Sequence, residues 1–157
     1  MALVLVRHAK AGSRSAWAQD DDLRPLTAAG ERQAEALAAR LAAEPITRVL
    51  SSRFVRCVQT VGPLAGCLGL EVAHHPALAE EADLGDTEAL LGELAATEAV
   101  LCTHGNVLGA LMKRLRRRGV ELHGGGGGGG GGKGSAWRLQ PGPDGGWASA
   151  TYEPPPG

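Results

Sequence analysis

Short aliphatic runs alternate with longer stretches in which apolar residues recur every three or four positions. Residues 3–6 (LVLV) are uniformly aliphatic and stop abruptly at Arg7-His8, the pattern of a buried strand feeding a loop. Small and polar residues then dominate to about Leu26, which predicts a loop. Thr27 can cap a helix over 28–43 with Ala34, Leu37, Ala38 and Leu41 on one face, and Pro45 marks its end. A second short strand is expected over 48–51. A second helix follows over 55–68, terminated near Gly69, with Pro63 expected to kink it or shift its start. Residues 71–74 give a weak strand, 87–95 a short helix, 99–103 (AVLCT) a strand and 107–117 a last helix.

Strands that alternate with helices predict an α/β fold, a three-layer αβα sandwich around a mostly parallel central sheet. Nine consecutive glycines, Gly124 to Gly132, interrupt this pattern. Each carries a large ordering entropy and no side chain to bury, so the run is expected to be a flexible link spanning roughly 15–18 Å as a free coil. Beyond it, residues 135–140 and 147–152 flank the turn-rich PGPDGG, which predicts a terminal hairpin packing Trp137 and Trp147 on the domain. The expected organisation is therefore a core over 1–123, a glycine-rich link over 124–134, and a hairpin with a Pro-rich tail over 135–157 belonging to the same domain.

With 157 residues, 43% apolar and 21% charged, the chain suits one soluble globular domain. A formal net charge of −1 gives no global attraction to nucleic acid or membrane, so neither is expected as a partner. Three widely spaced cysteines (Cys57, Cys67, Cys102) in apolar segments argue for a reducing compartment rather than a disulfide scaffold. No CxxC or HxxxH spacing suggests a metal site, and no metal or cofactor is expected. The apolar start is short and lacks a basic leader, so the expected location is the cytoplasm.

Ligands of an open parallel sheet bind beyond the carboxyl ends of its strands, where loops and helix N-termini converge. Three such ends carry unusual residues: Arg7-His8 after the first strand, Ser51-Ser52 with Arg56 after the second, and His104-Gly105-Asn106 after AVLCT. Two arginines and two histidines at one sheet edge suit a phosphate, because guanidinium donors match phosphate oxygens bidentately. A neutral imidazole can attack phosphorus, and water can hydrolyse the resulting phosphohistidine. Concentrated positive charge is the expected means of stabilising the transferring group.

The segments LVRHAKAG, LRPLTAAGERQAEALA, SSRFVRCVQT and LCTHGNVL, in this order, resemble the histidine phosphatase superfamily, also called phosphoglycerate mutase-like. The short length is similar to SixA-type phosphohistidine phosphatases. RHAKAGSRSAW followed by DD and RPL, with KGSAW and TYEPPP near the end, resembles phosphatase domains fused to MutT-like Nudix hydrolases in bacteria. The resemblance implies a phosphoglycerate mutase-like fold and His8 as nucleophile, with Arg7, Arg56 and His104 holding the phosphoryl oxygens. It also implies that Glu80 is the general acid, beside the neighbouring Glu81. SixA-type members need little acid catalysis, since an imidazole leaves easily. Arg53 and Cys57 depart from the family pattern; Arg53 is an extra substrate contact or an exposed residue, and Cys57 is expected to serve packing alone.

Lys10, Arg14 and Trp17, in the loop after His8, are further candidate substrate contacts together with Gly105 and Asn106. Trp17 either stacks on a base or packs its own loop. Asp20, Asp21 and Asp22 with Arg24 can order this loop by ion pairing. Arg114, Arg116, Arg117 and Arg118 are expected to complement a helix dipole and project into water. His74, His75 and His123 are expected to be non-catalytic. The function expected is metal-independent hydrolysis of a phosphate monoester, a nucleotide phosphate or a phosphohistidine protein through phospho-His8, beside a Nudix hydrolase partner. The alternative is a non-catalytic module that binds phosphorylated ligands or regulates such a partner.

Overall fold

The computed structural model describes residues 2–125 and 131–156. Its strands are β1 (Leu3–Arg7), β2 (Arg48–Ser51), β3 (Val72–His74), β4 (Ala99–Thr103), β5 (Glu121–His123), β6 (Ala136–Pro141) and β7 (Trp147–Glu153). Its α-helices are α1 (Ala28–Leu41), α2 (Val55–Leu68), α3 (Leu84–Glu93) and α4 (Gly105–Arg117). The strands form one sheet in the order β3-β2-β4-β1-β6-β7-β5. β3, β2, β4 and β1 run parallel to one another, β6 pairs antiparallel with both β1 and β7, and β5 pairs parallel with β7. The α/β class with a mixed, largely parallel sheet is thus the fold the alternation implies.

Both faces of the central strands are buried, as their unbroken aliphatic composition requires. Leu3, Leu5, Leu50 and Leu101 meet Leu90 and Leu91 of α3 and Leu108, Leu111 and Leu115 of α4. Val4, Val6, Val49 and Val100 point the other way, against Leu37 and Leu41 of α1 and Val61 and Leu64 of α2. The period-two alternation of the strands thereby divides the core between two helical layers. No helix among the described residues is long and apolar enough to cross a membrane.

Several boundaries differ from expectation. α2 runs uninterrupted through Pro63, because its buried face of Cys57, Val61, Leu64 and Ala65 is held on the sheet and tertiary packing outweighs the local penalty. α3 starts three residues early, at Leu84, where the Asp83 carboxylate accepts from the Gly85 N–H at 2.8 Å. α4 starts at Gly105 with His104 in the N-cap position. β5 was not expected; it is three residues long and pairs with β7. Arg114 and Arg118 do not simply project into water but both bond Glu88 of α3, Arg114 at 2.7 Å.

The hairpin β6–β7 extends the sheet beside β1, and Trp137 is buried in the core with Trp147 half-buried against it. The central part of the glycine run, 126–130, lies outside the described residues, and with it much of the expected flexible link. Its downstream end is attached to the first strand: the Gly134 N–H donates to the carbonyls of Arg7 (3.2 Å) and His8 (3.1 Å). Gly134 has φ +84°, which an L side chain rarely adopts.

Candidate active site

β1, β4 and β2 lie side by side, so their carboxyl ends form one rim. Arg7 is in register with Thr103 and Ser51 with Cys102. The His8 N–H continues the ladder by donating to the Thr103 carbonyl at 3.1 Å, and the Ser52 N–H donates to Cys102 at 3.0 Å. Each strand thus hands its functional residue to the rim at the point where the sheet ends.

His8 is 8% exposed, and its Nδ1 lies 2.8 Å from the Ala9 carbonyl. A carbonyl can only accept, so Nδ1 carries the proton and Nε2 keeps its lone pair. Burial lowers the His8 pKa to about 4; the bond to Ala9 opposes this, and the positive charges of Arg56, Arg7 and Lys133 add to it. His104 stands edge-on to His8, with ring centroids 5.5 Å apart, and against Phe54 at 4.6 Å. Burial, then the proximity of His8 and Arg56, lowers its pKa to about 3. Ser52 Oγ is 2.9 Å from His104 Nε2 and accepts from the Phe54 N–H at 3.3 Å. The arrangement satisfying both groups has Ser52 donating to Nε2, which leaves the proton of His104 on Nδ1. Cys57, expected to serve packing alone, also places Sγ 3.5 Å from His104 Nε2.

Arg56 is fully buried in the first turn of α2. It donates to the Asp21 carbonyl at 2.8 Å, to Asp21 Oδ2 at 3.1 Å and to Glu80 Oε2 at 2.9 Å. Glu80 also accepts from Arg14 Nη2 at 3.2 Å, and its Oε2 lies 3.5 Å from His104 Nδ1. With His104 neutral this last approach is not an ion pair. One carboxylate oxygen thus sits among the donors that would serve an anion. Asp21 also pairs with Arg24 at 2.9 Å and Arg14 at 3.5 Å, and its carboxyl is held below its ordinary range: bonding to Arg24 and the Arg56 charge outweigh its partial burial.

Arg7 donates from Nη1 to the Gly131 carbonyl, and its guanidinium lies across the backbone of Gly105. Four buried side-chain nitrogens lack a hydrogen-bond partner among the described residues: Trp137 Nε1 in the core, and Arg7 Nε, Arg56 Nε and His104 Nδ1. The last three belong to this site. A site with spare buried donors around Glu80 is chemically prepared for an anion with more oxygens than one carboxylate supplies.

These side chains border a cavity of about 810 Å³ lined by Arg7, His8, Arg14, Glu80, His104, Gly105 and Asn106, among others. Arg56 lies behind Glu80. Asn106 Nδ2 donates to the Glu80 carbonyl at 2.8 Å, so its side chain steadies the acidic loop. Two expected contacts are not brought to the wall. Lys10 is exposed, and its backbone N–H is engaged by Gln33. Trp17, with Nε1 donating to the Asp20 carbonyl at 2.9 Å, lines a smaller neighbouring hollow of about 240 Å³ that shares Gly12, Ser13 and Arg24 with the main cavity. His75 caps the 3-10 turn Pro76–Leu78 by accepting from the Ala77 N–H, and Arg53 pairs with Glu81 at 2.6 Å. Sequence reasoning missed Ser52 as the partner of His104, Arg24 as a lining residue, and Lys133. Arg24 is 6% exposed and donates to the Gly12 carbonyl at 2.6 Å, so it closes the loop after His8.

The chain belongs to the histidine phosphatase superfamily: the family model for branch 1 matches residues 3–99. A protein of Mycolicibacterium smegmatis named 8-oxo-(d)GTP phosphatase is 38% identical over 159 residues, covering 98% of this chain and 48% of that protein. The chain therefore spans about half the length of this relative. The structure of the protein histidine phosphatase SixA complexed with tungstate superposes with a TM-score of 0.74 at 25% identity, covering 98% of this chain and 94% of that one. A mycobacterial glucosyl-3-phosphoglycerate phosphatase shares the fold with a TM-score of 0.69 at 18% identity, covering 97% of this chain and 95% of that one. Phosphatase chemistry is the enzymatic class that this membership supports.

Proposed function

We propose that the chain hydrolyses a phosphorylated small molecule by transferring the phosphoryl group to His8 Nε2 and then to water. The observation that carries this reading is the bond from His8 Nδ1 to the Ala9 carbonyl at 2.8 Å, which fixes the tautomer with a free lone pair on Nε2. That lone pair forms the N–P bond while the bond from phosphorus to the leaving oxygen breaks. The leaving oxygen takes a proton, and water then displaces Nε2 from phosphorus. Arg7, Arg56 and the Nδ1–H of His104 are the donors for the equatorial oxygens, where charge is spread in the transition state. Glu80 is the group placed to protonate the leaving oxygen once phosphoryl oxygens take over its arginine partners. No step calls on a metal ion.

Among substrates, a nucleoside phosphate is favoured. The relative covering nearly the whole chain is named for an oxidised nucleotide, and the hollow containing Trp17 adjoins the cavity through Gly12, Ser13 and Arg24. Action in the cytoplasm beside a Nudix-type hydrolase belongs to the same proposal. The test compares nucleoside phosphates, a phosphohistidine peptide and p-nitrophenyl phosphate on wild type and Trp17→Ala. A rise in KM confined to nucleotides supports the proposal. An equal effect on all three substrates removes the base-stacking element, and preferential turnover of the peptide reassigns the substrate.

A further inference from the structure

We propose that Lys133 is a substrate-binding residue of the phosphate site, supplied by the segment that leads into the terminal hairpin. This deepens the phosphatase reading and rests on it for the identity of the ligand. Lys133 lines the same cavity as His8, Arg7 and His104, although more than a hundred residues separate it from the first strand. Its position is set by backbone bonds on both sides. The Gly131 carbonyl accepts from Arg7, and the Gly134 N–H donates to the carbonyls of Arg7 and His8. Gln33 adds a third tie, with Oε1 accepting from the Lys10 N–H at 2.9 Å and Nε2 donating to the Lys133 carbonyl at 3.2 Å. The backbone of residue 133 is therefore attached to the loop that carries the nucleophile.

Of the other cations at the site, Arg7 bonds the Gly131 carbonyl and, like Lys133, has no carboxylate partner among the described residues. Arg14, Arg24 and Arg56 are all paired with Asp21 or Glu80. Among the described residues Lys133 has no carboxylate partner, yet its charge is felt by His8, and Arg7 and Arg24 bear on it in turn. An ammonium group placed among like charges in a concave site, without a counter-ion, is suited to an anion that enters from solvent. An oxyanion bound to Arg7 and His104 would lie within the field of Lys133 as well. The terminal hairpin thus brings a cation to the site as well as extending the sheet.

The test measures inorganic phosphate affinity by calorimetry, together with kcat and KM for p-nitrophenyl phosphate, on wild type, Lys133→Ala and Lys133→Arg. Circular dichroism and thermal melting show whether each variant is folded. Lys133→Ala is expected to weaken phosphate binding about 10- to 100-fold, the loss of one charged hydrogen bond, with Lys133→Arg recovering most of it. A folded Lys133→Ala protein that binds phosphate within twofold of wild type overturns the proposal while leaving the His8 chemistry intact. Lys133-dependent phosphate binding without any turnover supports the contact and counts against the hydrolytic reading instead. Failure of the wild type to bind phosphate overturns both.

Discussion

Arg7 and Gly105 occupy space that only a glycine at 105 can share. A methyl group on residue 105 would stand 2.8 Å from both Cζ and Nε of the Arg7 guanidinium. The first residue of α4 therefore decides where the arginine of β1 can lie. Gly105→Ala is expected to push the guanidinium aside and lower kcat/KM on p-nitrophenyl phosphate by about 100-fold, since a displacement near 1 Å has that order of effect. Thermal stability should change little, because the clash is relieved toward the cavity. A variant with unchanged kinetics would show that Arg7 takes no part in holding phosphate.

Both site histidines are neutral over the working range. The His8 pKa is lowered to about 4 and that of His104 to about 3, each from 6.5, with burial as the main cause. The unfolded chain accordingly binds more protons than the folded one below about pH 6.5. The stability contributed by these two groups is complete above that pH, declines as the pH falls and is lost below the folded pKa values. Imidazole NMR titration of the free protein should leave both resonances in the neutral position at pH 6. A midpoint near 6.5 for His8 would contradict the buried, neutral nucleophile.

Ser52 is expected to fix the tautomer of His104 by donating to its Nε2 at 2.9 Å. Ser52→Ala removes that donor and lets the ring proton sit on either nitrogen. The expected result is a loss of about 3- to 10-fold in kcat/KM, the size of one neutral hydrogen bond, with a changed nitrogen chemical shift for His104. A kinetic loss with an unchanged tautomer would assign Ser52 a packing role only.

Glu80 combines two effects that substitution separates. Glu80→Gln removes the proton donor, so an alkyl phosphate, whose leaving oxygen needs protonation, should lose about 100-fold in kcat. A phosphoramidate or p-nitrophenyl phosphate should lose far less. The same change removes the carboxylate that occupies Arg56 and Arg14, so KM should fall rather than rise. Equal losses in kcat on all substrates would exclude the acid role.

The residues legible in the sequence are those placed by strand ends. Arg7, His8 and His104 follow aliphatic runs that could only be buried strands, and Arg56 follows the second strand within one helical turn. Their convergence needed only the rule that parallel strands deliver ligands at one edge. Ser52 stands in the SSRFVRCVQT motif, but its bond to His104 depends on the order β2-β4-β1, which periodicity does not reveal. Lys133 stands beside the glycine run, where no hydrophobic pattern predicts a direction, and the pairing of β6 with β1 together with the bonds of Gly134 and Gln33 brings it to the cavity. Trp17 and Lys10 lie in the loop after His8. Sequence proximity did not carry their side chains to the cavity wall, because a loop of Gly, Ser and Ala has no periodicity from which facing can be read.

The most direct test is to trap the covalent intermediate. Wild type and His8→Ala are mixed with ³²P-labelled substrate in excess chelator, quenched in alkali, and digested to locate the label. A phosphatase that works through His8 gives label on the peptide containing Arg7-His8 in wild type, and neither label nor turnover in the variant. Turnover retained by His8→Ala, or turnover in wild type that disappears with the chelator, would contradict a phosphohistidine mechanism.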